Sequence, residues 1–175
     1  HAGWQLRDLL PADRYPVRLM LLKAHCRYYE LTDRSLKEAI KLSEQALDLE
    51  PRSLRASRML SLSLSGAMIQ GVLPASPERV DRAIALAREA SRAMPDDVFS
   101  RCVRAWALGL DHQHEHATEE LRYAIRLNPT YATLHSDLAE HLAMLGYLSE
   151  ALAEIDEAIR LTGEDVVSFW RYYTV

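Results

Sequence analysis

Residues 117–129 read ATEELRYAIRLNP, and this arrangement of small, apolar and helix-ending residues occurs four times along the chain. Each copy has a leading alanine, a small or apolar residue, a second alanine, and then a proline or glycine. The four sets are Ala39/Ser43/Ala46/Pro51, Ala83/Ala87/Ala90/Pro95, Ala117/Leu121/Ala124/Pro129 and Ala151/Ile155/Ala158/Gly163. The leading alanines are separated by 44, 34 and 34 residues, and the closing proline or glycine positions repeat those spacings. Such a period predicts an array of similar helical units.

Each copy predicts the second helix of a helical hairpin. Its two alanines share one helical stripe, where a neighbouring helix can approach closely. The following proline cannot continue a helix and so ends it. First helices are expected between the copies, and each carries a small residue 22 positions after the preceding leading alanine, at Ser61, Ala105 or Ala139.

The longer spacing locates an insertion in the second repeat. Because the 22-residue gaps are constant, the ten extra residues must lie between Leu64 and Ala83. We expect a first helix lengthened to about Gln70, followed by a loop at 71–75. Ser76 is the expected N-cap and Pro77 the first helical residue, which matches the preferences of both residue types.

Composition excludes several classes of protein. Hydrophobic residues make up 49% of the chain but aromatic residues only 7%, and six glycines and seven prolines are too few for a turn-rich β fold. The fold is therefore predicted to be all-α. A net charge of −4 with mixed signs argues against a nucleic-acid partner. No apolar run is long enough for a membrane span, and two cysteines without a C-x-x-C pair predict a reducing cytoplasm.

The repeats resemble the tetratricopeptide superfamily over residues 16–165. The 34-residue period, the segment AIRLNPTYA at 124–132, and the residues Leu138, Ala139, Leu142 and Gly146 carry the resemblance. It implies a right-handed superhelix of antiparallel helix hairpins that serves as a protein-interaction module. The expected divisions are an extension at 1–15, hairpins at about 16–51, 52–95, 96–129 and 130–163, and the start of a capping or further first helix at 166–175.

A narrower resemblance concerns the layout. A degenerate first hairpin and a lengthened second hairpin are similar to the C-terminal repeat regions of bacterial class III nucleotide cyclases and multidomain transcription regulators. That resemblance implies a regulatory role inside a larger bacterial signalling protein, and a chain that begins at His1 without methionine is expected to be part of one. The chain has no cyclase, DNA-binding, Walker or nucleophile-elbow motif, so neither an enzyme nor a cofactor is predicted.

The resemblance also implies a partner-binding groove lined by the first helices. In the register of the family, the groove positions are Arg55, Arg58, Leu62, Phe99, Cys102, Trp106, Thr133, Ser136 and Glu140. An aromatic centre near two arginines favours a peptide with an apolar anchor and an acidic neighbour. Trp106 could equally be buried between hairpins. Chaperone-binding members of the family grip a C-terminal carboxylate with asparagines and lysines of their first helices. That clamp is not expected here, because the single asparagine, Asn128, ends a second helix and the only lysine in a predicted first helix is Lys23.

Two further features of the sequence bear on function. The stretch DHQHEH at 111–116 places His112, His114 and His116 where they could ligate zinc or nickel, but its position in a hairpin turn favours a solvated polar turn, and no metal is predicted.

The alternative function is self-association, as a homodimer, through an incomplete C-terminal hairpin that carries Phe169, Trp170, Tyr172 and Tyr173. A protein or peptide partner is expected, and a small-molecule substrate is not.

Overall fold

A computed structural model describes residues 15–162 of the chain, and within that range it confirms the all-α prediction. No helix there is both long enough and apolar enough to cross a bilayer. The helices are α1 (Tyr15–Tyr28), α2 (Asp33–Leu49), α3 (Leu54–Ile69), α4 (Pro77–Ala93), α5 (Val98–Leu110), α6 (His114–Leu127), α7 (Ala132–Met144) and α8 (Leu148–Thr162).

The chain divides into two compact units, residues 1–90 and residues 91–175. In the first unit α1 packs against α2 and α3, and α2 packs against α3. In the second unit α5 packs against α6, α6 against α7, and α7 against α8. Sequential packing of neighbouring helices is the arrangement that a tandem array of hairpins requires.

The repeated alanines are buried. All four pairs of marked alanines are buried, from Ala39 and Ala46 in α2 to Ala151 and Ala158 in α8. In the first unit the hydroxyl of Ser61 on α3 donates to the carbonyl oxygen of Ala83 on α4 at 2.8 Å. A side chain longer than serine would hold those backbones further apart. The small residues therefore set the distance between helices.

Local signals determine where the helices begin. Thr32 caps α2, since its hydroxyl accepts from the backbone N–H of Ser35 at 3.1 Å while the Ser35 hydroxyl accepts from the N–H of Thr32 at 3.0 Å. Asp97 caps α5 by accepting from the N–H of Ser100 at 3.0 Å. Satisfying these otherwise unpaired donors stabilises each first turn by about 1 kcal/mol.

The inserted residues lengthen α3 and form the connection to α4. Helix α3 ends at Ile69 and α4 begins at Pro77, as the sequence predicts. Gly71 lies in this connection at φ +69°, a conformation that costs glycine little. The backbone N–H of Leu73 donates to the carbonyl oxygen of Ala67 at 3.0 Å, so the connection turns back toward α3. The carbonyl oxygen of Ser76 accepts from the backbone N–H of Val80 at 3.0 Å in the first turn of α4.

Gly66 is required where α1 approaches α3. A Cβ atom added there would lie 2.5 Å from Cε2 of Tyr28, whose side chain is buried. Gly66→Ala in a helix interior would normally add roughly 1 kcal/mol of stability. We expect the clash, at about 1–3 kcal/mol, to outweigh that gain and lower the free energy of unfolding.

Urea unfolding of the Gly66→Ala variant checks this expectation. A second variant, Gly66→Ala/Tyr28→Ala, removes the ring, so Gly66→Ala should become stabilising in that background. A stabilising effect of Gly66→Ala in the wild-type background would show that Tyr28 moves aside at little cost.

Candidate functional site

The predicted groove positions of the first unit lie on α3 and differ in exposure. Arg55 is exposed and Arg58 half-buried, whereas Leu62 is fully buried. Burial, together with the charge of Arg58, lowers the pKa of His25 on α1, so the guanidinium lies near that imidazole. Leu62 belongs to a run of α3 that is buried on every face, from Met59 to Met68. Leu62 is therefore enclosed in this structure, and its role as a contact for a partner stays a prediction.

In the second unit, α5 presents Phe99 and Trp106 as half-buried residues, but it buries Cys102. Cys102 is therefore also enclosed in this structure, and its role in partner binding stays a prediction. Its thiol donates to Oδ2 of Asp137 on α7 at 3.3 Å. The indole Nε1 of Trp106 donates to the same oxygen at 2.8 Å. Trp106 thus combines a hydrogen bond to a buried carboxyl group with a ring that partly reaches solvent.

Asp137 is a buried carboxyl group with two donors but no neutralising cation among the contacts described above. Burial raises its pKa to about 7; hydrogen bonds from Trp106 and Cys102 act in the opposite direction, and the nearby charge of Glu140 adds to the rise. Burial also raises the pKa of the Cys102 thiol, as does the adjacent carboxylate. The thiol is therefore protonated and poorly nucleophilic at neutral pH.

The remaining predicted groove positions lie on α7. Thr133 and Ser136 are half-buried, and Glu140 reaches solvent. The Ser136 hydroxyl lies 3.4 Å from the carbonyl oxygen of Ala132 in its own helix. Partial burial raises the pKa of Glu140, and the charge of His114 opposes that rise. These residues make the exposed side of α7 polar, and Glu140 makes one end of it acidic.

Of the three histidines near the turn between α5 and α6, His112 and His114 have ring centres 5.9 Å apart in an edge-on contact. His112 adopts φ +55° and is exposed, His116 is exposed, and His114 turns toward α7. The Nδ1 atoms of His114 and His141 are 3.1 Å apart, which is a hydrogen bond between imidazoles. Burial, with the charge of His114, lowers the pKa of His141 to about 4. Within residues 15–162 no three histidine, cysteine or acidic side chains gather closely enough to hold a metal ion.

Two charged clusters were not foreseen from the sequence. Glu120 on α6 bonds both Arg101 at 2.7 Å and Arg104 at 2.8 Å on α5, and the guanidinium of Arg101 lies 4.3 Å from the ring centre of Tyr123. On the other side of α7, His135 pairs its Nδ1 with Glu154 at 2.6 Å and its Nε2 with the carbonyl oxygen of Pro129 at 3.0 Å. The repeat spacing could have indicated one pair in each cluster, since Arg101 and Glu120, like His135 and Glu154, lie 19 residues apart on successive helices.

The residues proposed for self-association, Phe169, Trp170, Tyr172 and Tyr173, lie outside the described residues. The described end of the second unit is nevertheless informative. Met144, Tyr147, Leu148, Leu152 and Ile155 are among its exposed large hydrophobic residues. Exposed apolar side chains in one region commonly mark a contact surface.

Comparison with known proteins concerns the fold. No protein-family model matches the chain, and no curated protein matches it. Among solved structures, a thermophilic TPR protein of Thermus thermophilus, TTC0263, aligns with a TM-score of 0.66 and 22% identity over 91% of this chain and 96% of its own. MamA of strain AMB-1 aligns with a TM-score of 0.61 and 20% identity over 89% of this chain and 85% of its own.

A third similar structure is the O-GlcNAc transferase of Thermobaculum terrenum, with a TM-score of 0.62 and 20% identity. The alignment covers 76% of this chain and 23% of the transferase, so only a part of that enzyme is similar. At these identities the likeness concerns backbone architecture and not chemistry. The chain has the all-α helical-repeat fold of tetratricopeptide proteins.

Proposed function

We propose that the chain is a protein-interaction module within a larger bacterial signalling or regulatory protein of the reducing cytoplasm. It binds a peptide segment, or another domain, on the surface of its first helices. The observation that carries this proposal is that first and second helices differ in which of their residues are buried. Second helices bury their alanine stripes, whereas α3, α5 and α7 keep seven of the nine predicted groove residues at least partly exposed, the exceptions being Leu62 and Cys102. Repeat arrays use such surfaces to hold extended partners.

The chemistry of the exposed positions favours a particular kind of peptide. Arg55 and Arg58 supply positive charge on α3, and the rings of Phe99 and Trp106 supply partly exposed apolar area on α5. An acidic residue of a peptide would complement the arginines of the first unit taken by itself, and an apolar anchor would complement the rings of the second unit taken by itself. Two unpaired cysteines, Cys26 and Cys102, are consistent with the reducing compartment.

A second copy of the chain is the alternative partner. It would use the C-terminal end, with Phe169, Trp170, Tyr172 and Tyr173, instead of the first helices. Light scattering coupled to size exclusion separates the two cases, because self-association raises the mass with concentration whereas a free recognition surface leaves it constant.

Selection from a displayed random-peptide library tests the proposal. We expect enriched peptides to contain an acidic residue beside an apolar one, and Arg55→Glu/Arg58→Glu to weaken their binding by at least about tenfold. The matched control, Arg34→Glu/Arg92→Glu, makes the same change of charge at exposed positions of the second helices α2 and α4. Equal binding by both double variants would contradict the assignment to first helices, and circular dichroism verifies that each variant is folded.

A further inference from the structure

The indole ring of Trp106 on α5 lies beside two carboxyl groups of α7. Its Nε1 donates to Oδ2 of Asp137 at 2.8 Å, and Glu140 follows Asp137 by three residues. Residues with that spacing are neighbours on a helix, with Cβ atoms about 5–6 Å apart. Burial raises the pKa of Asp137, and the charge of Glu140 adds to that rise, so the two carboxyl groups lie close together. We call Trp106, Asp137 and Glu140 the indole–carboxyl patch.

The contacts that the structure describes bring no permanent cation to this patch. Both hydrogen bonds to Asp137 end at Oδ2, and their donors are the indole of Trp106 and the thiol of Cys102, which carry no positive charge. Partial burial raises the pKa of Glu140, and the charge that opposes this rise comes from an imidazole, that of His114. A cation that is always charged would favour the ionised form of both carboxyl groups more strongly.

The arginines of the second unit that could supply such a cation bond elsewhere. Helix α7 contains no lysine or arginine, and both arginines of α5, Arg101 and Arg104, pair with Glu120 on α6. A ligand from outside can reach the patch, because Glu140 is exposed and Trp106 is only half-buried. The patch therefore offers negative charge and an aromatic surface to a cationic group of a partner.

The combination of an aromatic ring with a carboxylate favours a guanidinium over an ammonium. A guanidinium is planar, so it can stack on a ring while it donates two hydrogen bonds to a carboxylate, and it is less strongly hydrated than an ammonium. Indole is the side-chain ring that attracts cations best. The second unit already contains this arrangement internally, since Arg101 bonds Glu120 at 2.7 Å and lies 4.3 Å from the ring centre of Tyr123.

We propose that the indole–carboxyl patch binds an arginine side chain of the partner peptide, with the guanidinium against the ring of Trp106 and paired with Glu140. The buried carboxyl group of Asp137 adds negative charge beneath the ring. This assignment rests on the proposed function and makes it more specific, because the second unit then selects a basic residue in addition to an apolar anchor.

Two small probes test the proposal on the full chain. Acetyl-leucyl-arginine amide and acetyl-leucyl-citrulline amide have nearly the same shape, but only the first is charged. Their binding is followed by NMR at the indole N–H signal that Trp106→Phe removes. We expect the arginine probe to bind about tenfold more tightly than the citrulline probe, and this preference to decrease as the salt concentration rises.

Glu140→Gln should abolish most of the preference for the arginine probe. Because Glu140 is exposed, its substitution leaves the unit able to fold, and circular dichroism verifies this. The matched control is Glu119→Gln, which makes the same change at an exposed position of the second helix α6 and should leave the preference unchanged.

Two results would overturn the assignment. Equal binding of the two probes would show that the patch does not select a guanidinium, and an unchanged Trp106 signal would show that neither probe reaches it. Neither result decides the proposed function, because peptides can bind through an apolar anchor or through the arginines of the first unit. Conversely, a preference for the arginine probe without enrichment of any library peptide would support the patch and contradict the proposed function.

Discussion

Replacing Asp137 with asparagine is expected to change how the stability of the second unit depends on pH. Burial raises the pKa of Asp137 from 3.8 to about 7. Between those values the unfolded chain ionises while the folded chain holds its proton, so wild-type stability falls as pH rises. The loss is on the order of 4 kcal/mol at about pH 8. The amide of Asp137→Asn can still accept from Trp106 but carries no charge, so the variant should be more stable than wild type there.

His141 acts in the opposite direction over nearly the same range. Its pKa is lowered from 6.5 to about 4, so the unfolded chain takes up a proton before the folded chain does as the solution is acidified. That contribution is present above 6.5 and is lost as pH falls toward 4. In the wild type the two effects largely cancel between those values. In Asp137→Asn the histidine acts alone, and stability should fall on acidification.

Urea midpoints measured from about pH 4 to about pH 8 check both statements. Asp156→Asn is the matched control, since it removes an exposed carboxylate from α8. His141→Gln should show the complementary behaviour, with stability that rises as pH is lowered from about 7. Parallel curves for the wild type and Asp137→Asn would show that the carboxyl group is ionised in the folded protein at no cost.

Leu121→Ala is expected to destabilise the second unit by about 2–5 kcal/mol, because it removes a leucine side chain that is fully buried between helices. Helix α6 packs against both α5 and α7, so a cavity at Leu121 weakens the packing of α6 within the second unit. Urea or thermal unfolding measures the effect. A loss of this size is a large part of the whole stability of a domain.

Leu127→Ala is the internal control for that substitution. It lies on the same helix, six residues further along, and its side chain is 39% exposed. We expect a cost of roughly 1 kcal/mol or less, since less apolar area returns to water. Equal effects of the two substitutions would mean that the buried face of α6 is not closely packed around Leu121.

The fold could be predicted because its determinants are local and periodic. The spacing of Ala83, Ala117 and Ala151, with a proline or glycine at a constant distance, fixes helix length and the packed stripe together. Ser76 and Pro77 locate the start of α4 for the same reason, since capping depends on adjacent residues. Each of these signals lies within a few positions of the feature it predicts.

The details of the candidate site depend on distant partners and were harder to predict. Cys102 has the spacing of a groove residue, but its thiol is buried and hydrogen-bonds to Asp137, 35 residues away. His114 occurs in a motif typical of metal ligands, yet it bonds His141 instead. The one available signal was Asp137 itself, a carboxylate set among Leu134, Leu138 and Leu142 on a first helix. A charge at such a position indicates a buried polar contact without naming its partner.

The two cysteines lie in different environments, so their labelling rates can report how often α5 separates from α7. Cys26 is exposed on α1, whereas Cys102 is enclosed and its thiol resists deprotonation. A thiol reagent should therefore label Cys26 at once and Cys102 only during moments when α5 separates from α7. The ratio of the two labelling rates gives the frequency of that separation under native conditions. Ligands that bridge α5 and α7 would slow the second rate and leave the first unchanged.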